Sequence, residues 1–181
     1  MTITPEEFLR RLAEGETFEE ESLAGIDLSG QNLRGASLAG VDLKNADLSN
    51  ANLMNADLQG ADLSGANLAG ANLTEADLSE VNAGGANFEA ATLDAVTMVQ
   101  ADLSNANLIN ASLSGADLTE SELQGADLTE ASLTEATLNG VDFTGANLTA
   151  ADLTDADLTD AVMEEAILDD VVGYEPDDDE Y

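Results

Sequence analysis

The sequence predicts an all-β solenoid, a coil of short extended steps joined by tight turns, and three observations predict it. A large apolar residue recurs every five positions from Leu23 to Leu168 without one insertion, which makes 30 centres, 25 of them Leu. Two positions before each centre the chain is small: Ala fills 22 of the 30 places, with Val41, Val81, Val96 and Val141 among the others. Two positions after the centre, Gly fills 12 and Asn another 5. This period suits neither regular element. In an α-helix, steps of five rotate a side chain by about 500°, so the leucines would spiral round the axis. In one straight strand an odd period would flip the leucine to the opposite face at every repeat. The chain therefore turns once per repeat, at Gly and Asn positions that tolerate positive φ, and keeps Leu and Ala inside.

The elements follow in order. Residues 1–20 form an N-terminal segment with a short capping helix over 4–15, TPEEFLRRLAEG. Thr4 is its N-cap, Pro5 stands at the first helical position, Glu6 and Glu7 favour the dipole, and Gly15 closes it. Phe8, Leu9 and Leu12 make its apolar side. Residues 21–170 are the solenoid, and 171–181 a C-terminal cap and an acidic tail, EPDDDEY, expected to be disordered. A solenoid leaves unpaired edges at both ends, so caps are required. Within the solenoid the small centre Ala83 is followed by the large centres Phe88 and Met98. Loss and gain of volume within one layer keeps a tightly packed core filled.

Charge limits the function. The 181 residues carry 38 Asp plus Glu against 4 Lys plus Arg, a formal net charge of -34. Arg10, Arg11, Arg34 and Lys44 all precede residue 45, and residues 45–181 hold 29 acids with no cation. That balance excludes direct nucleic-acid binding, which needs cations to displace phosphate counterions, and argues against an anionic membrane surface. With no Cys and no His, disulfides, thiol or imidazole catalysis and zinc sites are excluded. Neither the nonapeptide calcium repeat nor an EF-hand loop is present, so neither a cofactor nor a metal is expected. An uninterrupted rod offers no concave pocket for catalysis, and an enzyme is not expected. No apolar leader or membrane span is apparent, so cytoplasmic residence is the default.

Segments such as ADLSG, ANLAG and ADLTE resemble the pentapeptide-repeat family, whose consensus is Ala-(Asp/Asn)-Leu-x-x. The resemblance implies a right-handed quadrilateral β-helix with 20 residues per coil, hence about 7.5 coils in a rod roughly 36 Å long at about 4.8 Å per layer. Residues 20 apart then stack. The position before the centre points outward, and one face carries Asp42, Asp62, Asn82, Asp102, Glu122 and Asp142. A neighbouring face carries Asp57, Asp77, Thr97, Asp117, Thr137 and Asp157, whereas the face opposite the first carries neutral residues from Asn32 to Ser132. Over residues 41–160 the four faces hold 5, 4, 5 and 7 acids in chain order.

The function expected is an acidic protein-interaction scaffold. Its contact candidates are the two acidic faces, Met54, Val99 and Ile109 on the rod, and an apolar C-terminal group of Val162, Met163, Ile167, Leu168, Val171, Val172 and Tyr174. That group serves either as a cap or as the contact of a homodimer, since the resemblance implies dimers joined near the C-terminus. Two alternatives stand beside the scaffold. The resemblance extends to quinolone-resistance proteins that imitate duplex DNA toward DNA gyrase, and stacked carboxylates in place of phosphates would be steered into a basic saddle. The charge would also suit a high-salt cytoplasm that screens self-repulsion.

Overall fold

The computed structural model describes residues 3–18 and 22–174. Residue n pairs with residue n+20 through parallel bridges, from Ser22↔Asp42 to Asp152↔Val172. The ladder uses one residue per repeat, the one before the centre. Four successive repeats therefore make four columns, beginning at Asp42, Asp47, Asn52 and Asp57, which we call the first to fourth faces. Backbone bonds run up each face: the amide of each centre donates to a carbonyl 19 residues on, as Leu63 to Asn82 at 2.6 Å.

Within a repeat the turn closes locally. The carbonyl of Leu58 accepts the amide of Ala61 at 2.9 Å, three residues on, and the same bond recurs along the chain. Positive φ at the third residue of such a turn is the type II geometry. Gly and Asn are its natural occupants, yet the turn does not depend on them. Of 18 non-glycine residues with positive φ, five are Asn, which leaves 13 that are Glu, Asp, Ala or Gln, such as Glu75 (φ 57°) and Ala95 (φ 53°). The amide of the turn residue donates to the coil above, as Ala95 to Ser114 at 2.9 Å, so the bonds on both sides impose the conformation.

The core is a column of fully buried leucines lined by alanines. Each buried leucine contributes about 1.5–3 kcal/mol. Ala83, Phe88 and Met98 all lie buried within the coil 81–100, where volume lost at one centre accompanies volume gained at two others. Ser121 stands in an alanine place with its hydroxyl donating to Leu118 O at 2.7 Å, so even this buried polar group is satisfied.

Helix α1, Pro5–Ala13, precedes the first coil. Thr4 Oγ1 accepts the amide of Glu7 at 3.3 Å. At the far end Gly15 (φ 77°) and Glu16 return bonds to Leu12 and Arg11, a Schellman motif. Phe8 is buried and meets Phe18 at 4.7 Å between ring centroids, while Arg11 lies over the Phe18 ring. Both rings join the cluster that contains the leucine column. The expected acidic tail, residues 175–181, lies outside the described residues.

Candidate interaction surface

The consensus aspartate is set by backbone chemistry. Its side chain turns back and accepts the amide two residues on, and where that residue is Ser or Thr it accepts the hydroxyl as well. Asp77 Oδ1 accepts Ser79 N at 2.9 Å and Oγ at 2.6 Å. Asp117 holds Thr119 at 3.0 and 2.6 Å in the same way, and Asp142 holds Thr144 at 2.8 and 2.5 Å. Asp57, Asp62, Asp102 and Asp157 make the corresponding backbone bond. Such Asx turns fix the carboxylate on the rod surface.

The two predicted acidic columns stack as continuous ladders. The first face runs Asp42, Asp62, Asn82, Asp102, Glu122, Asp142, and the adjoining fourth face runs Asp57, Asp77, Thr97, Asp117, Thr137, Asp157. Asp42 also accepts the Ser22 hydroxyl at 2.6 Å, and Lys44 Nζ reaches up to Asp62 at 2.9 Å. The side-chain hydroxyl and then the amide of Thr144, joined by Gln124, hold Asp142 below the usual aspartate range. Thr159 does the same for Asp157. At Asp62 partial desolvation is the largest single influence and pushes up, but the Ser64 hydroxyl, Lys44 and the Ser64 amide together outweigh it, so this carboxyl too is lowered. These groups stay ionised into mild acid.

The second face is an amide ladder that the count of acids overlooks. Asn67 Nδ2 donates to Asp47 at 3.1 Å, Asn87 to Asn67 at 3.2 Å and Asn107 to Asn87 at 3.0 Å. The recurrence of Asn at steps of 20 is its signal in the sequence. Asp47 at its foot is lowered by the hydroxyl and amide of Ser49.

The remaining contact candidates divide. Met54, Val99 and Ile109 are half-buried rather than exposed. The C-terminal group forms two sets. Met163, Leu168, Val171 and Tyr174 pack partly against the core, whereas Val162, Ile167 and Val172 occupy outward ladder positions. A cleft of about 420 Å³ opens between α1 and the first coil, lined by Leu9, Leu12, Glu16, Leu33 and Arg34 among others. It arises where the helix leaves the rod, a place that the uninterrupted register could not reveal. Among the described residues that line it, Glu16 is the one carboxylate, and it is bound to Arg11 at 2.7 Å. Among the described residues no group of three or more Asp or Glu is arranged to hold a metal ion, and no helix is long and apolar enough to cross a membrane.

The sequence pattern of the pentapeptide repeats, in 8 copies, matches residues 22–60, 56–94, 98–134 and 126–165. The chain belongs to the pentapeptide-repeat family. Members of this family fold as right-handed quadrilateral β-helices, and the four columns above are the four sides. No curated protein matches the chain. Among solved structures it is similar to HetL, a pentapeptide-repeat protein involved in heterocyst differentiation regulation from the cyanobacterium Nostoc sp. strain PCC 7120. The identity is 27% over 94% of this chain and 98% of that one, with a TM-score of 0.44. Rfr23 from the cyanobacterium Cyanothece 51142 is 26% identical over 91% and 95%, with a TM-score of 0.38. A trypsin-treated variant of QnrB1, a plasmid-mediated fluoroquinolone resistance protein, is 25% identical over 82% and 77%, with a TM-score of 0.43.

Proposed function

We propose that the protein is a non-enzymatic interaction scaffold whose contact surface is the adjoining first and fourth faces and whose partner is a basic, DNA-binding protein. The observation that carries this reading is charge density on a rigid support. Residues 41–160 hold 21 acids in six coils of 20 residues. At about 4.8 Å per coil that is about one charge per 1.4 Å of axis for the whole rod, against about 1.7 Å for duplex DNA with both strands counted, and the first and fourth faces hold 12 of the 21. A surface charged like DNA and already ordered attracts a basic saddle and costs little entropy on binding. The family resemblance makes DNA gyrase the first partner to test. The helix α1 serves as the N-terminal cap, and cytoplasmic residence is part of the same proposal.

The test is a supercoiling assay with purified gyrase and rising amounts of the protein, repeated across a NaCl series. Inhibition that persists to about 0.5 M salt, where the Debye length has shrunk to about 4 Å, supports the DNA-like reading. No effect at any ionic strength removes gyrase and leaves the scaffold to be tested on other basic partners.

A further inference from the structure

We propose that the cleft between α1 and the first coil binds a small organic acid, one carboxylate on an apolar body, independently of the lateral faces. Charge gives the first argument. Arg10 pairs with Glu7 and Glu14, Arg11 with Glu16, and Lys44 with Asp62. In a chain with 38 acids, Arg34 has no carboxylate at ion-pair distance among the described residues. It stands at the cleft beside Glu16, whose charge Arg11 balances. The described lining therefore carries a net positive charge on an acidic protein.

The backbone adds donors. Each ladder residue from Asp47 to Val172 donates its amide to a carbonyl 21 residues back, as Asn52 to Gln31 at 2.9 Å. For Asn32 and Ser37 the residues 21 back are Arg11 and Glu16, where helix α1 and its exit replace a lower coil. Arg11 O instead accepts the amides of Glu14 and Glu16, both at 3.1 Å. The amides of Asn32 and Ser37 are thus left without a backbone acceptor among the described residues, and both residues line the cleft. Helix C-terminal carbonyls would repel an anion, but those of Arg10, Arg11 and Leu12 already accept amides from Glu14, Glu16 and Gly15.

The rest of the lining selects the body of the ligand. Leu9, Leu12, Leu33 and Ala36 present an apolar wall, and the volume of about 420 Å³ lies in the range of small-molecule sites. A polyphosphate would bring several charges to one guanidinium, and an amine would meet a cation. A monocarboxylate with a hydrocarbon chain matches both the single charge and the wall.

The probe is sodium octanoate, titrated into the full chain in about 0.15 M NaCl, where a Debye length of about 8 Å screens the distant acids. Amide nitrogen–proton NMR spectra follow each residue. Saturable shifts at Asn32, Arg34 and Ser37 are expected, with affinity weakened about tenfold or more in Arg34→Gln and partly kept in Arg34→Lys. The Arg34 side chain is exposed, so neither variant disturbs the core. Octylamine, with the same chain and the opposite charge, is expected to leave these amides unmoved. Equal affinity for octanoate in wild type and Arg34→Gln would overturn the proposal, because the guanidinium then does not hold the carboxylate. Equal shifts with octylamine would overturn it as well, because the cleft is then only apolar. So would the absence of saturable shifts at these residues below the micelle limit of octanoate.

Discussion

Thr144 donates both its amide and its hydroxyl to one oxygen of Asp142, at 2.8 and 2.5 Å. This pairing lowers the Asp142 carboxyl below its ordinary value of 3.8. A carboxyl lowered by folding contributes stability above its unfolded value and loses it as pH falls through the folded one. Thr144→Val keeps the shape and removes the hydroxyl. The variant is predicted to lose about 1 kcal/mol near neutral pH, and the difference from wild type to vanish once the pH falls below the lowered value. Urea unfolding at several pH values measures it; a difference that is constant with pH would separate Thr144 from the carboxylate charge.

The turn residues make a second prediction. Ala95 holds φ 53° and Gly115 holds φ 65° in the equivalent place. Left-handed backbone costs an L-residue roughly 1–2 kcal/mol, partly offset by the greater freedom glycine has when unfolded. Ala95→Gly is therefore expected to stabilise by about 0.5–1 kcal/mol. Gly115→Ala, whose added Cβ would meet nothing within 4 Å, is expected to destabilise by a similar amount through the backbone alone. Denaturant midpoints of the two single variants, with opposite signs, settle the matter.

Core volume is the third. Phe88 is fully buried in the coil that contains Ala83. Phe88→Ala is expected to cost about 3–5 kcal/mol. Ala83→Leu alone overpacks the coil at about 1–3 kcal/mol, and adding Phe88→Leu should recover part of that loss. A double-mutant cycle that is strictly additive would show that the two centres do not share volume.

How much was legible follows from which forces are local. The register, the buried leucine and alanine columns and the stacking of Asp42 on Asp62 all follow from a repeat of five once the coil is known to hold four. Thr4, Pro5 and Gly15 announce the helix by their capping chemistry. Phe18 carried no such signal, because its partner Phe8 is brought to it only by the packed helix. The left-handed Glu and Ala turns were equally hidden: their own propensity opposes that backbone, and hydrogen bonds from the coils on either side override it. Val162 and Ile167 precede the centres Met163 and Leu168, so the register alone turns them outward; reading them as one apolar set with those core-facing centres is what hid the division.

Self-repulsion gives a fourth prediction. With a net charge of -34, screening should favour the folded rod. Between low and roughly molar NaCl the melting temperature is expected to rise by at least about 2–4 °C, the shift about 1 kcal/mol produces in a chain of this size. An unchanged melting temperature would remove the basis for reading the charge as an adaptation to a salty cytoplasm.

The most direct test of the lateral faces as a DNA-like surface is competition with duplex DNA for purified gyrase. The wild type is compared with a variant in which Asp42, Asp62, Asp102, Asp142, Asp57, Asp77, Asp117 and Asp157 are each replaced by Asn, a residue the ladder already accepts at Asn52, Asn67 and Asn72. The account predicts that the wild type displaces DNA and that the variant, folded to the same circular dichroism spectrum, does not. Equal displacement by both proteins, or none by either, would contradict it.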